Sequence, residues 1–151
     1  MVLKRKFSII ITMLVCLFAL VGLTSCGTSG SEKKVANFII EEMIESYKDP
    51  SSVIVTSPSI SKDGCVAKCK IGGKNSYGSL NYTTYYLVLE SFTTDGGNSF
   101  EAGEIYEEDW DDPTYGMMYL IAHLKENEQS LDAEKINKII SKWKKSNGYI
   151  Q

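Results

Sequence analysis

Four cysteines and a single histidine are the residues whose chemistry reaches beyond packing: Cys16, Cys26, Cys65, Cys69 and His123. In an oxidising compartment Cys65 and Cys69 would be a disulfide, a metal pair or a redox pair. Their spacing speaks against a bond, because residues four apart on a strand lie roughly 13 Å apart, whereas bridged Cα atoms sit within about 7 Å. Buried free thiols are therefore expected, a disulfide requiring a local bend. With one histidine a multi-histidine metal site is ruled out. A cysteine-histidine pair would need the fold to carry His123 to a thiol. On a helix His123 falls with Gly116 and Tyr119, off the centre of the apolar stripe, so a partly exposed histidine without a catalytic role is expected. Ser59-Ile60-Ser61-Lys62 fits S-x-x-K but lacks its companion motifs and strand-helix context, and no G-x-S-x-G or phosphate-cradling loop is present. Glu101, Glu104, Glu107, Glu108, Asp109, Asp111 and Asp112 crowd one segment, and several carboxylates together can chelate calcium. They lack the loop spacing of a calcium hand, which favours a solvated face or a partner for the basic last helix. Tyr82, Tyr85, Tyr86, Trp110 and Tyr115 are expected mostly in the core. In the loop that precedes them, Asn75 and Tyr77 are the candidate contact residues, since loops disproportionately carry function. No catalytic residue, metal ligand or cofactor is assigned.

The elements that must position these groups follow from periodicity. Ala36, Ile39, Ile40, Met43, Ile44 and Tyr47 recur at helical spacing and predict an amphipathic helix over 32–47, stopped by Asp49-Pro50. Val53 to Thr56 is a β-branched run, read as a strand limited by Pro58. Asp63-Gly64 supplies a hairpin turn. In the returning strand Cys65, Ala67, Cys69 and Ile71 alternate with Val66, Lys68 and Lys70, and residues 72–78 read as a loop. Leu80 to Ser91 is apolar on both faces, which predicts a central strand. Asp95 to Asn98 turns the chain, and Phe100 to Tyr106 adds a short edge strand. Asp112-Pro113 predicts a helix start, with Met117, Leu120, Ile121 and Leu124 buried. A second helix from Ser130 places Ile136, Ile139, Ile140 and Trp143 on one side and ends at Asn147-Gly148. The expectation is an α+β fold: an N-terminal helix, an antiparallel sheet of three to four strands, and a C-terminal helical hairpin.

The N-terminus has another character. Lys4-Arg5-Lys6 precedes an apolar run from Phe7 to Leu23, shorter than the roughly 20 residues that span a bilayer. That is the layout of an export signal. Leu23-Thr24-Ser25-Cys26 resembles the lipobox of bacterial lipoproteins, which implies a signal peptide over 1–25, cleaved before Cys26. Cys26 would carry a diacylglyceryl thioether with palmitate-type chains and become the new N-terminus, anchoring the protein extracytoplasmically on the bacterial cell membrane. Two acyl chains hold where one does not. Residues 26–31 then form the lipidated cysteine and a flexible spacer of at most roughly 17 Å beyond Cys26, and 32–151 a single α+β domain.

Charge narrows the partners. The leader holds three of the 16 basic residues and none of the 19 acidic ones, so residues 26–151 carry a formal net charge of −6 with His neutral. Nucleic-acid binding is disfavoured.

Tyr47-Lys48-Asp49-Pro50-Ser51-Ser52, then paired strands, then Asn75-Ser76-Tyr77-Gly78 before another strand, resembles a recurrent small bacterial domain. That domain has a helix, a Lys-Asp-Pro-Ser-Ser turn and an antiparallel sheet with an Asn-x-x-Gly loop. It occurs in secreted and lipoprotein chains mostly of unknown function. The likeness covers residues 38–90 and departs at Gly78-Ser79, where a second glycine is common. It implies a fold and no activity. The leading expectation is a non-enzymatic lipoprotein that binds a protein, peptide or envelope component near the membrane. Its alternatives are a cysteine-dependent hydrolase or redox enzyme and an immunity or phage-exclusion lipoprotein.

Overall fold

A computed structural model describes residues 28–109 and 114–151, of which Ser31–Gln151 form one compact unit. The expected lipidation at Cys26, together with Trp110 and the Asp112-Pro113 start, lies outside the described residues. A five-stranded antiparallel sheet is the centre of the fold. Its strands are β1 (Ile54–Ser61), β2 (Val66–Lys74), β3 (Leu80–Val88), β6 (Ile105–Glu107) and β7 (Glu128–Ser130), in the order β6-β3-β2-β1-β7. A two-stranded hairpin, β4 (Phe92–Thr93) with β5 (Ser99–Phe100), stands apart from it. The helices are α1 (Thr28–Phe38), α2 (Tyr115–Glu126) and α3 (Ala133–Ser146). None of the described helices is long and apolar enough to cross a membrane.

The period of two sends successive residues of each strand to opposite faces, and both faces are apolar where they are covered. Ala67, Cys69, Ile71 and Leu87 face a core completed by Val35, Ala36, Ile39, Met43 and Ile44 from the first helical segment and by Ile136 and Ile140 of α3. Their strand neighbours Val66, Tyr86 and Val88 face a second core built with Met117, Leu120, Ile121 and Leu124 of α2 and with Phe100. The expected helical hairpin is therefore replaced by a three-layer arrangement, with α1 and α3 on one face and α2 on the other. The cause is β7, a fifth strand that the Glu-Gln-Ser sequence does not announce, since it has no apolar alternation. It pairs Ser59 with Ser130, Ile60 with Gln129 and Ser61 with Glu128, and carries the chain across the sheet edge.

Further differences have local causes. The residues expected to be a flexible spacer are already helical from Thr28. Glu32, in the helix's second turn, is buried and its Oε1 accepts from the Asp132 backbone N–H at 3.4 Å. Past Phe38 the helix widens into a π turn, Ile39–Met43, and tightens into a 3-10 turn, Ile44–Ser46, which seats Met43 and Ile44 in the core. Strand β1 runs through Pro58. The missing N–H falls where the register slips between Thr56 and Ser59 and where Ser57 takes a left-handed φ of 48°, so no ladder bond is lost. Strand β2 includes Gly72 and Gly73, expected in a loop, because the Tyr82 ring lies against Gly72 on one face and the Tyr47 ring against Gly73 on the other. The expected strand over Phe100–Tyr106 divides between β5 and β6. Thr114 caps α2, its side chain accepting from Met117 N–H, and Asp132 caps α3.

Candidate functional site

The hairpin turn between β1 and β2 carries the densest polar cluster. Gly64 has a φ of 77°, which glycine alone adopts without strain, and its N–H closes the turn onto Ser61 O at 2.9 Å. This folds the Asp63 side chain back over the strand ends. Its Oδ1 accepts from Ser61 Oγ at 2.5 Å and from Cys65 N–H at 3.0 Å, while Ser61 Oγ accepts in turn from Val66 N–H at 3.0 Å. From α2, His123 Nε2 donates to Asp63 Oδ2 at 2.8 Å. The imidazole also lies on the Phe92 ring of β4, centroids 4.5 Å apart, and Phe92 stacks on Phe100 at 5.1 Å. Behind the turn, Lys34 of α1 donates to Gly64 O at 2.7 Å and pairs with Glu90 at 2.5 Å.

Two open clefts of about 380 Å³ each meet at His123 and Glu126. One is bounded by Lys62 and Asp63, the other by Asp95 and Tyr119. Burial works against the Asp63 carboxylate, but the bonds from Ser61, Cys65 N–H and His123 outweigh it and hold its pKa below the ordinary value. The Cys65 thiol is pushed up, first by burial and then by the Asp63 and Glu90 carboxylates, with Lys34 opposing. Cys69 is fully buried and burial raises it to about 12. Both thiols are free, and neither has the electropositive surroundings that make a thiolate at neutral pH. The histidine is thus carried to a carboxylate, not to a nucleophile: Asp63 stands between Ser61 and His123, whereas base-activated attack needs the imidazole in the middle.

The other sequence candidates separate. Ser59 Oγ donates to Glu128 at 2.6 Å while Lys62 borders the cleft, so the two ends of the S-x-x-K stretch serve different contacts. Asn75 is a structural residue: its Oδ1 accepts from Tyr77 N–H at 2.9 Å and Ser79 N–H at 3.0 Å, and Gly78 follows at a φ of 80°. Tyr77, beside it, is 93% exposed and makes the loop's only large projection. The Lys-Asp-Pro-Ser-Ser turn is likewise structural. Asp49 caps the 3-10 turn Pro50–Ser52, and Ser52 Oγ accepts from Lys74 N–H at 2.8 Å, tying the turn to the end of β2. In the acidic segment, Glu108 accepts from Tyr86 Oη and Glu104 from Tyr106 Oη, each at 3.0 Å. These tyrosines, rather than the lysines of the last helix, hold the two carboxylates. Among the described residues no group of three or more His, Cys, Asp or Glu side chains is placed to hold a metal ion; Asp111 and Asp112 lie outside them.

Among the described residues, two buried side-chain oxygens lack hydrogen-bond partners, Glu32 Oε2 and Tyr47 Oη. Burial, then the neighbouring Tyr85 and Glu107, raises the Tyr47 phenol well above its ordinary value. Compared with protein families, with curated proteins and with solved structures, the chain finds no match.

Proposed function

We propose that the protein is a non-enzymatic binding module, held extracytoplasmically on the cell membrane by lipid at Cys26. The observation that supports it is the order of the polar cluster, in which Asp63 separates His123 from Ser61 and the Cys65 thiol is raised rather than activated. A hydrolase or redox reading would require the reverse: a low-pKa thiol in contact with the imidazole. Ser61, Asp63 and His123 are committed to closing a turn and docking a helix. The exposed large side chains include Tyr77, Tyr82 and Tyr115, and exposed aromatic residues suit recognition more than turnover.

Alkylation of the full chain by iodoacetamide at neutral pH separates the two readings. Cys65 is expected to react no faster than free cysteine, and Cys69 to react only after denaturation. A Cys65 rate well above that of free cysteine, abolished by His123→Asn, would sink the binding reading in favour of catalysis.

A further inference from the structure

On the face of the sheet packed by α2, the helix packs, among the described residues, on the end bearing Val66, Tyr86 and Val88. Alternation puts Lys68, Lys70, Gly72 and Lys74 of β2 on that same face, running away from the helix. Register sets Tyr82 and Ile54 on either side of Gly72, and Thr84 and Thr56 on either side of Lys70. Here the surface opens: Tyr82 is 42% and Ile54 36% exposed, and Lys70 and Lys74 are exposed.

The Tyr82 ring lies flat. A Cβ at Gly72 would come within 2.6 Å of the ring's Cε1 and 3.0 Å of its Cζ. Only a glycine lets the aromatic plane rest on the strand. The ring is thus set against the backbone at Gly72 while the side chain keeps part of its surface exposed. Lys70 Nζ stands 5.7 Å from the Tyr82 centroid, and Lys68 Nζ 5.7 Å from that of Tyr86, within the range at which a cation is held by a ring. Among the described residues neither ammonium belongs to an ion pair. The carboxylates of Glu108 and Glu128 accept from the hydroxyls of Tyr86 and Ser59.

We propose that this open half-face binds an acidic glycan, a chain of pyranose rings carrying spaced carboxylates or phosphates. A flat aromatic ring offers its face to the apolar side of a sugar, the threonine hydroxyls lie in the adjoining row, and the lysines supply the positive charge. Tyr86, the next ring along this face, is 2% exposed, so the face offers no run of open rings on which successive bases of a single-stranded nucleic acid would stack. The extracytoplasmic reading is needed only for where such a polymer is met, so the binding itself stands or falls on its own.

The test is calorimetric titration of the full chain, in detergent, with oligogalacturonate, neutral dextran and oligothymidylate. Oligogalacturonate is expected to bind and to weaken with added salt. Tyr82→Ala is expected to reduce affinity about tenfold, as expected where a central aromatic carries the contact, and Tyr82→Phe to restore it. Lys70→Gln is expected to weaken binding and flatten the salt dependence. Absence of oligogalacturonate binding would overturn the proposal, as would equal affinity in Tyr82→Ala. Dextran binding as tightly would remove the role of charge, and tighter oligothymidylate binding would replace the glycan with nucleic acid. Neither result depends on lipid at Cys26, so this proposal and the anchored-module reading fail separately.

Discussion

Asp63 shows how a single carboxylate decides what its neighbours can do. Three donors converge on it, from the end of β1, from the turn and from α2, and they stabilise its ionised form. A carboxylate whose folded pKa is lowered contributes stability that is full above its unfolded value of about 4 and disappears as pH falls through the folded value. The advantage of the wild type over Asp63→Asn, read as the difference in urea midpoint, is therefore expected to be constant near neutrality and to shrink in acid. An advantage that grew as pH fell would show that the carboxylate is not held ionised by these donors. The turn itself was legible in Asp63-Gly64, and so was the burial of Cys69. The pairing with His123 was not, because residues 60 positions apart meet only through the placement of α2 on the sheet, which no local pattern encodes. Asn75 was read as a contact residue on the general tendency of loops. Its side chain accepts from the backbone N–H groups of Tyr77 and Ser79, so Asn75→Ala is expected to cost about 1 kcal/mol in chemical denaturation. No measurable loss would return Asn75 to the surface candidates.

At the scale of elements, the strong periodicities were the readable ones. The α2 stripe of Met117, Leu120, Ile121 and Leu124 and the central position of β3 follow directly from their patterns. What escaped is structure sustained by distant side chains. Strand β1 passes Pro58 because β7 lies beyond it, with Leu131 N–H donating to Pro58 O at 2.9 Å. At the same edge Asn137 of α3 both accepts from Val55 N–H at 2.9 Å and donates to Val55 O at 2.7 Å, standing in for a missing strand. Lys144 does similar work. It is 4% exposed, and its ammonium donates to Ser51 O at 2.9 Å and Val53 O at 2.6 Å, fastening α3 to the Lys-Asp-Pro-Ser-Ser turn. Burial lowers its pKa, against the nearby Asp49. Lys144→Met keeps the stem and leaves two buried carbonyls without donors, which is expected to destabilise the fold by about 2 kcal/mol. Unchanged stability in equilibrium denaturation would mean that water replaces the ammonium freely there. Lys144 is one of several lysines in that helix, and charge alone does not distinguish the one that points inward.

For the whole molecule, the α+β class was evident from the sequence while the layering was not. Two helices in succession suggest a hairpin, and only the three residues of β7 put them on opposite faces. Beyond the part of the sheet that α2 packs on, Tyr82 and Ile54 are partly exposed, with the Tyr82 ring resting on Gly72. Gly72→Ala is expected to lift that ring, and a fall in any glycan affinity without loss of the fold would be its signature. The measurement that tests the anchored reading most directly is the intact mass of the protein recovered from the membrane fraction of cells that make the full chain. Loss of residues 1–25 together with acyl mass on Cys26 is the expected result. A product that retains its leader, or that begins at Cys26 without added lipid, would contradict it.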